Sequence, residues 1–256
     1  EITTRLVGSE MCIRDRIQII TDYLKEHNYA TVKQIAKDVH MSETTVRRDL
    51  NYLENQNVVK RNYGGAMLVS HLHQTVPFDL RVHENEREKE IIAQKAVSLI
   101  NAGDTVYLDE SSTTCSLIDY LDPKSNITVV TSSLIATIFL SRKNICTYCT
   151  GGLYNQVTSS FQNRYTEEFF SRFNANIAFF SATCVSENGR ITNSQENNVY
   201  IKQAILANAE KTVFLCDHTK FDKTSLATVC TLSDVDYAVS DVPWPEHLKR
   251  LIKIPL

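Results

Sequence analysis

Ser42-Glu43-Thr44-Thr45-Val46-Arg47-Arg48-Asp49-Leu50, with Lys60-Arg61-Asn62-Tyr63-Gly64-Gly65 close behind it, is the stretch that decides how this chain is read. The first run opens on a hydroxyl able to cap a helix. It then sets Val46, Leu50 and Leu53 at i, i+4 and i+7, which makes one apolar face. The same periodicity turns Glu43, Thr44, Arg47 and Arg48 to the opposite face. The second run is a basic strand ending in two glycines that permit a tight turn, with Ala66-Met67-Leu68-Val69 returning beside it. A short helix with a basic outer face, followed by a basic hairpin, fits the major groove of duplex DNA with a wing alongside.

Upstream, Ile17, Ile20 and Leu24, with Tyr23 beside them, form an apolar stripe at helical spacing. Thr31-Val32-Lys33-Gln34 has the form of a capping box, and Val32, Ile35, Ala36 and Val39 face inward from the helix it opens. His40-Met41-Ser42 is the turn into the next helix. These elements predict a winged helix-turn-helix over residues 17–69. Residues 1–16 resemble translated sequencing-adapter sequence and are expected to be a non-native extension outside the functional chain. Residues 70–84 are polar, lack periodicity and are expected to form a linker.

Beyond it, a helix over 87–99 leads into short apolar strands at 105–108, 127–130, 145–149, 177–180, 213–216 and 237–239, with helices between most of them. Strands of this kind between helices predict an α/β body, residues 85–256, with a mostly parallel sheet covered on both faces.

The formal net charge is −3. Residues 17–67 hold seven basic and six acidic side chains, so attraction to a polyanion must come from where the charges sit. Seven cysteines follow no framework spacing, which suits reduced thiols in the cytoplasm. No apolar run approaches the roughly 20 residues needed to cross a bilayer, so no membrane partner is expected. Cys146 and Cys149 fall in one strand at a spacing that sends their side chains to opposite faces; no metal and no cofactor are expected. His71 and His73 lie in the linker and would bind metal only adventitiously. Phe169, Phe170 and Phe173 read as core or subunit contact.

The two opening blocks, together with short polar motifs at strand ends downstream, resemble the DeoR family of bacterial transcription regulators over nearly all of residues 17–241. The resemblance implies a winged helix-turn-helix joined to a sugar-phosphate-sensing domain. That domain would be similar in fold to ribose-5-phosphate isomerase and would lack its catalysis. It also implies repression of an operon for sugar uptake or breakdown.

For DNA, the expected contact set is Ser42, Glu43, Thr44, Thr45, Arg47, Arg48, Lys60, Arg61, Tyr63 and Gly64. Of Arg47 and Arg48, one can reach a guanine edge while the other grips phosphate. Thr44 and Thr45 suit phosphate or a thymine methyl. Asp49 is expected to pair with a neighbouring arginine and orient it, and Lys60 and Arg61 to touch backbone phosphates. Family members usually carry His where Tyr63 stands.

For the effector, open α/β sheets bind ligands where loops leave the C-terminal strand ends. Asp109-Glu110-Ser111-Ser112-Thr113-Thr114 follows a strand there and can cradle an anion with hydroxyls and amides. The family usually has Gly-Thr-Thr at Ser111-Ser112-Thr113, and often Asn at Ser132. Gly151 and Gly152 would let the backbone approach a ligand. Glu196 and Lys202 match a family glutamate and lysine, the lysine as a phosphate counterion. Asp217-His218-Thr219-Lys220 matches Asp-x-Ser-Lys, with Asp217 accepting sugar hydroxyls and Lys220 reaching phosphate. No catalytic residue is expected. The alternative is an active sugar-phosphate isomerase carrying a DNA head, in which Asp109, Glu196, Asp217 and Lys220 supply acid, base and charge stabilisation. Paired operator half-sites imply a homodimer or homotetramer.

Overall fold

The protein is described by a computed structural model over residues 13–27, 29–56, 58–62, 64–68 and 76–256. Tyr63, His71, His73 and residues 1–12 lie outside these. The chain divides into two compact units between Glu84 and Asn85.

The first unit contains α1 (Ile13–His27), β1 (Tyr29–Thr31), α2 (Val32–Asp38), α3 (Glu43–Asn55), β2 (Val59–Asn62), β3 (Gly65–Leu68) and a single turn, α4 (Phe78–Arg81). The capping box at Thr31 is formed, with the Gln34 amide donating to Thr31 Oγ1 at 3.3 Å and Thr31 N donating to Gln34 Oε1 at 2.9 Å. The strands form an antiparallel sheet in the order β1-β3-β2. Gly65 makes that pairing possible, because a Cβ there would lie 2.4 Å from the Ala30 carbonyl oxygen. Ile17, Ile20, Leu24, Ile35, Val46, Leu50 and Leu53 build the core.

Two expectations change here. Inside the stretch read as linker, α4 buries Leu80 in this same core, a burial that stabilises by about 2 kcal/mol. Four residues are too few to show a period in sequence. Arg16, set aside with the extension, belongs to α1: it donates through Nε and Nη2 to both oxygens of Asp49, at 2.9 and 3.0 Å. Asp49 is buried, and a carboxylate out of water requires such a partner.

The second unit is built on seven parallel strands. In chain order its elements are α5 (Glu86–Val97), β4 (Thr105–Leu108), α6 (Ser112–Cys115), β5 (Thr128–Thr131), α7 (Leu134–Arg142), β6 (Cys146–Cys149), β7 (Tyr154–Asn155), β8 (Ser160–Phe161), α8 (Arg164–Phe170), β9 (Ala175–Ser181), β10 (Cys184–Val185), β11 (Arg190–Asn193), α9 (Glu196–Ala207), β12 (Ala209–Cys216), β13 (Ala227–Thr231), β14 (Tyr237–Ser240), α10 (Glu246–Lys249) and β15 (Ile254–Pro255). The main sheet runs β15-β14-β12-β9-β4-β5-β6; β10-β11-β13 and β7-β8 form small antiparallel sheets. The central strands are apolar on both faces, as burial on both sides demands.

Strand order reverses at β4, since β5 and β6 build outward on one side and β9, β12, β14 and β15 on the other. Ligands of open α/β sheets bind at such a reversal, outside the carboxyl ends of the strands. Within the sheet, Tyr107 packs edge-on against Phe170 and donates its hydroxyl to the Phe170 and Phe173 carbonyls, both at 2.8 Å. Burial pushes that hydroxyl's pKa up to about 12. Phe169 and Phe173 pack on the same cluster, which is core. Cys146 and Cys149 lie on the edge strand β6, one exposed and one half-buried. Among the described residues no three His, Cys, Asp or Glu side chains group as a metal site, and no helix is long and apolar enough to cross a membrane.

Candidate functional site

In the first unit, Ser42 Oγ accepts the Thr45 amide at 3.2 Å and fixes the start of α3. Thr44, Arg47 and Arg48 stand on the exposed face and Thr45 is half-buried beside them. Glu43 holds Arg47 at 2.9 Å in an exposed i,i+4 pair, while Arg48 Nε lies 3.8 Å from Asp49. Asp49 therefore pairs chiefly with Arg16 and only loosely with its neighbour. On the hairpin, Lys60 lies opposite Met67 and Arg61 opposite Ala66. Met67 is exposed and Ala66 buried, so alternation turns Lys60 outward and Arg61 inward. Arg61 Nη1 donates to Asn51 Oδ1 on α3, and its backbone amide donates to Glu54 at 3.3 Å. Lys60 is exposed, whereas Arg61 ties the wing to α3 instead of standing free. Gly64 turns with φ +79°, and its carbonyl accepts the Val32 amide at 3.0 Å.

In the second unit, most of the candidate effector residues sit on loops leaving strand ends. Asp109, just after β4, is buried, and all four of its acceptor positions are taken. Oδ1 accepts Ser111 N at 3.0 Å and Thr114 Oγ1 at 2.7 Å; Oδ2 accepts Ser181 N at 3.0 Å and the Lys202 ammonium. Burial alone would raise the Asp109 carboxyl's pKa, but the Lys202 charge and these hydrogen bonds hold it below the ordinary value. Lys202 is equally buried and also donates to Glu110 Oε1 at 3.0 Å. Burial opposes its charge, and the two carboxylates more than offset that, keeping its pKa raised.

Three candidate effector residues are engaged within the protein in this arrangement. Asp109, expected in the anion cradle, spends all four acceptor positions on internal donors. Lys202 is locked between two carboxylates instead of being available to phosphate. Glu196 stands exposed at the start of α9 with its carboxylate on Tyr200, at 2.8 Å. Glu110 is the acid that joins the cluster, and its Oε2 is buried with no hydrogen-bond partner.

Ser111 caps α6 by accepting the Thr114 amide at 3.1 Å. Ser112 and Thr113 are buried in the same turn. Ser132, just after β5, is fully buried and its Oγ has no partner. Gly151 and Gly152 both have positive φ, 62° and 119°; a Cβ on Gly152 would lie 2.7 Å from Thr166 Oγ1. That glycine makes room for the start of α8.

Asp217, just after β12, accepts the Thr219 amide and hydroxyl and Asn85 Nδ2 on Oδ1. Its Oδ2 lies 3.3 Å from Lys220 Nζ as an ion pair but accepts no hydrogen bond. Burial would raise this carboxyl's pKa; Lys220, Thr219 and Lys89 hold it low. Lys220 also donates to Ser181 Oγ at 3.1 Å.

Ser181, at the end of β9, thus joins the Asp109 and Lys220 clusters across the reversal of strand order. Its sequence neighbourhood carries no polar motif. A buried network of Gln162 on Thr158, Ser160 and Asn198 adjoins through α9, where Asn198 and Lys202 lie one turn apart on one face.

A winged helix-turn-helix with exposed arginines, beside a parallel α/β unit with polar strand ends, defines a DNA-binding transcription regulator with a sensor domain. The model of the DeoR-like helix-turn-helix domain matches residues 16–71 and that of the DeoR C terminal sensor domain matches residues 84–242. The chain belongs to the DeoR family. It is 32% identical over 236 residues to the L-fucose operon activator of Haemophilus influenzae, covering 92% of this chain and 94% of that protein. It is 33% identical over 231 residues to the transcriptional regulator IolR of Bacillus subtilis, covering 89% and 91%. Among solved structures, ribose 5-phosphate isomerase A from Methanocaldococcus jannaschii is similar at a TM-score of 0.41 and 19% identity, covering 54% of this chain and 55% of that one.

Proposed function

We propose that this regulator represses an operon for sugar use, holding operator DNA through α3 and Lys60, and that a phosphorylated sugar at the strand ends of the second unit releases it. One observation carries the effector reading. The second unit buries Glu110 Oε2, Ser132 Oγ, Gln195 Oε1 and Asp217 Oδ2 with no hydrogen-bond partner among the described residues. Three of the four lie within two residues of the end of a parallel strand of the main sheet. Buried polar groups of folded proteins are almost always bonded, so these atoms call for polar partners. Lys220, with the hydroxyls of Ser112 and Thr113, offers cationic and donor chemistry to a phosphate; the Asp217 carboxylate and Glu110 Oε2 offer acceptors to hydroxyls. Glucose-type operons and polyol operons are equally compatible with that chemistry. The names of the relatives, an L-fucose operon activator and a glycerol-3-phosphate regulon repressor of Escherichia coli among them, support a sugar-related role.

The isomerase alternative loses support at its proposed acid and base. Asp109 has every acceptor position filled and Glu196 lies exposed on Tyr200, so two of the four residues named for acid, base and charge stabilisation are engaged elsewhere. The regulator works in the cytoplasm as a homodimer or homotetramer, because paired half-sites need paired heads.

The test uses full-length protein, duplexes selected by it from a random pool, and a thermal-shift screen of phosphorylated and free sugars. At least one phosphorylated sugar should raise the melting temperature and lower affinity for the selected duplex, while its free sugar does neither. Tight duplex binding that no phosphorylated sugar alters would overturn the effector reading and leave the DNA reading standing.

A further inference from the structure

Asn85 opens α5 in a left-handed conformation, φ 51° and ψ 44°, yet makes no side-chain capping bond. Asparagine at a helix start ordinarily turns its side-chain oxygen onto the first-turn amides. Here the side chain reaches elsewhere. Its Nδ2 donates to Asp217 Oδ1 at 3.3 Å and to Thr219 Oγ1 at 3.2 Å, bonds that span 132 and 134 residues of sequence. Lys89, one turn further along α5, is buried and its charge acts on the same carboxylate.

Asn85 is also the first residue of the second unit. Glu84, the last residue of the first, is paired with Lys25 of α1 at 3.0 Å. Two consecutive residues, joined by one peptide bond, are therefore anchored in different units: Glu84 to a helix of the DNA-binding head, Asn85 to the Asp217–Lys220 motif.

We propose that Asn85 is the residue through which occupancy of the Asp217–Lys220 motif is transmitted to the junction with the DNA-binding head. The inference rests on the effector reading of that motif. Asp217 Oδ1 accepts three donors while Oδ2 accepts none, so the carboxylate is poised to redistribute its bonds. A phosphate that draws Lys220 from Asp217, or a hydroxyl that donates to Asp217, changes what Oδ1 offers. The Asn85 bond is the longest of the three and is the first to yield. Asparagine is one of the few residues with a Cβ that adopt the left-handed conformation readily, so the backbone at the junction is compatible with the side chain's reach to Asp217 and Thr219. When Asn85 is released, the peptide joining the units gains freedom that the anchored state denies it.

Asn85→Gly tests this directly, since glycine keeps the left-handed backbone without strain and removes the amide. Asn85→Asp is the second variant, placing a carboxylate against Asp217. Both are compared with wild type as full-length protein, using a duplex selected from a random pool and the phosphorylated sugar that most raises the wild-type melting temperature, with inorganic phosphate as a further probe. Wild-type affinity for the duplex should change about tenfold on adding the sugar, in the usual range of allosteric coupling. In both variants the sugar should still raise the melting temperature, and the duplex affinities with and without it should agree within about twofold. A wild-type ratio retained in Asn85→Gly overturns the coupling role while leaving the effector reading intact. Loss of the sugar's thermal shift in both variants also overturns it, placing Asn85 in the binding site itself. If no phosphorylated sugar shifts the wild type, the effector reading fails and the coupling falls with it.

Discussion

Arg47 and Arg48 of the DNA-binding head stand 56% and 68% exposed beside acidic neighbours, whereas Lys202 of the sensor is 1% exposed between two carboxylates. Both regions pair cations with anions, and the pairing serves different ends. An exposed pair contributes about 0–1 kcal/mol, so the Glu43–Arg47 pair can be exchanged at little cost, as a contact with phosphate or a guanine edge would require. A buried pair cannot be exchanged in that way, because separating its members leaves a charge without solvent. The exposed pairs of the head are replaceable; the buried charges of the sensor are locked.

The sharpest way to break this contrast is Lys202→Met. It leaves Asp109 and Glu110 buried without their cation, a loss of about 3–5 kcal/mol. Denaturant unfolding should show a weakened sensor transition while duplex-binding heads persist. The pH dependence should also reverse. In wild type the Asp109 pKa is depressed, so its contribution is present above the ordinary carboxylate value of about 4 and is lost as pH falls through the folded value. Without Lys202, burial raises that pKa, so the variant should lose sensor stability as pH rises instead. Parallel pH profiles for the two proteins would remove Lys202 from its scaffold role.

On the head, Arg47→Ala should cost about 1–3 kcal/mol of affinity for a selected duplex and relax preference at one base position, with melting unchanged. Lys60→Ala should weaken all duplexes alike and reduce the salt slope by about 1, the mark of a single phosphate contact. If Arg61→Ala instead gave that salt signature with no loss of stability, the inward reading of Arg61 would be wrong.

The same contrast explains what sequence could reveal. α3 was legible because a hydroxyl cap and the i, i+4, i+7 pattern of Val46, Leu50 and Leu53 are local. The central strands were legible because burial on both faces leaves continuous apolar runs such as Val213, Phe214 and Leu215. Lys202 was not, since a lysine on a helix reads as solvated until Asp109 and Glu110 are placed beside it from some ninety residues away. Ser181 and the Gln162–Asn198 pair acquire meaning only from partners brought in by the sheet. Arg61 is a different case: adjacent residues of one strand face opposite ways, so Lys60 and Arg61 could not both have pointed outward. Arg16 lay beyond a boundary drawn from resemblance to adapter sequence, where helical periodicity alone would have continued.

Ser132→Ala is the smallest change and separates scaffold from ligand contact most cleanly. The Ser132 hydroxyl is fully buried with no partner among the described residues, so it carries part of the roughly 1–3 kcal/mol cost of an unsatisfied buried group. Removing it should leave stability unchanged or raise it by up to about 1 kcal/mol, while weakening the phosphorylated sugar by a comparable amount. A structural serine would give the opposite pair of results, lower stability with unaltered ligand affinity. The variant therefore asks whether an unpartnered atom at a strand end is a packing fault or a place kept for a ligand, and the two measurements must move in opposite directions for the second answer to stand.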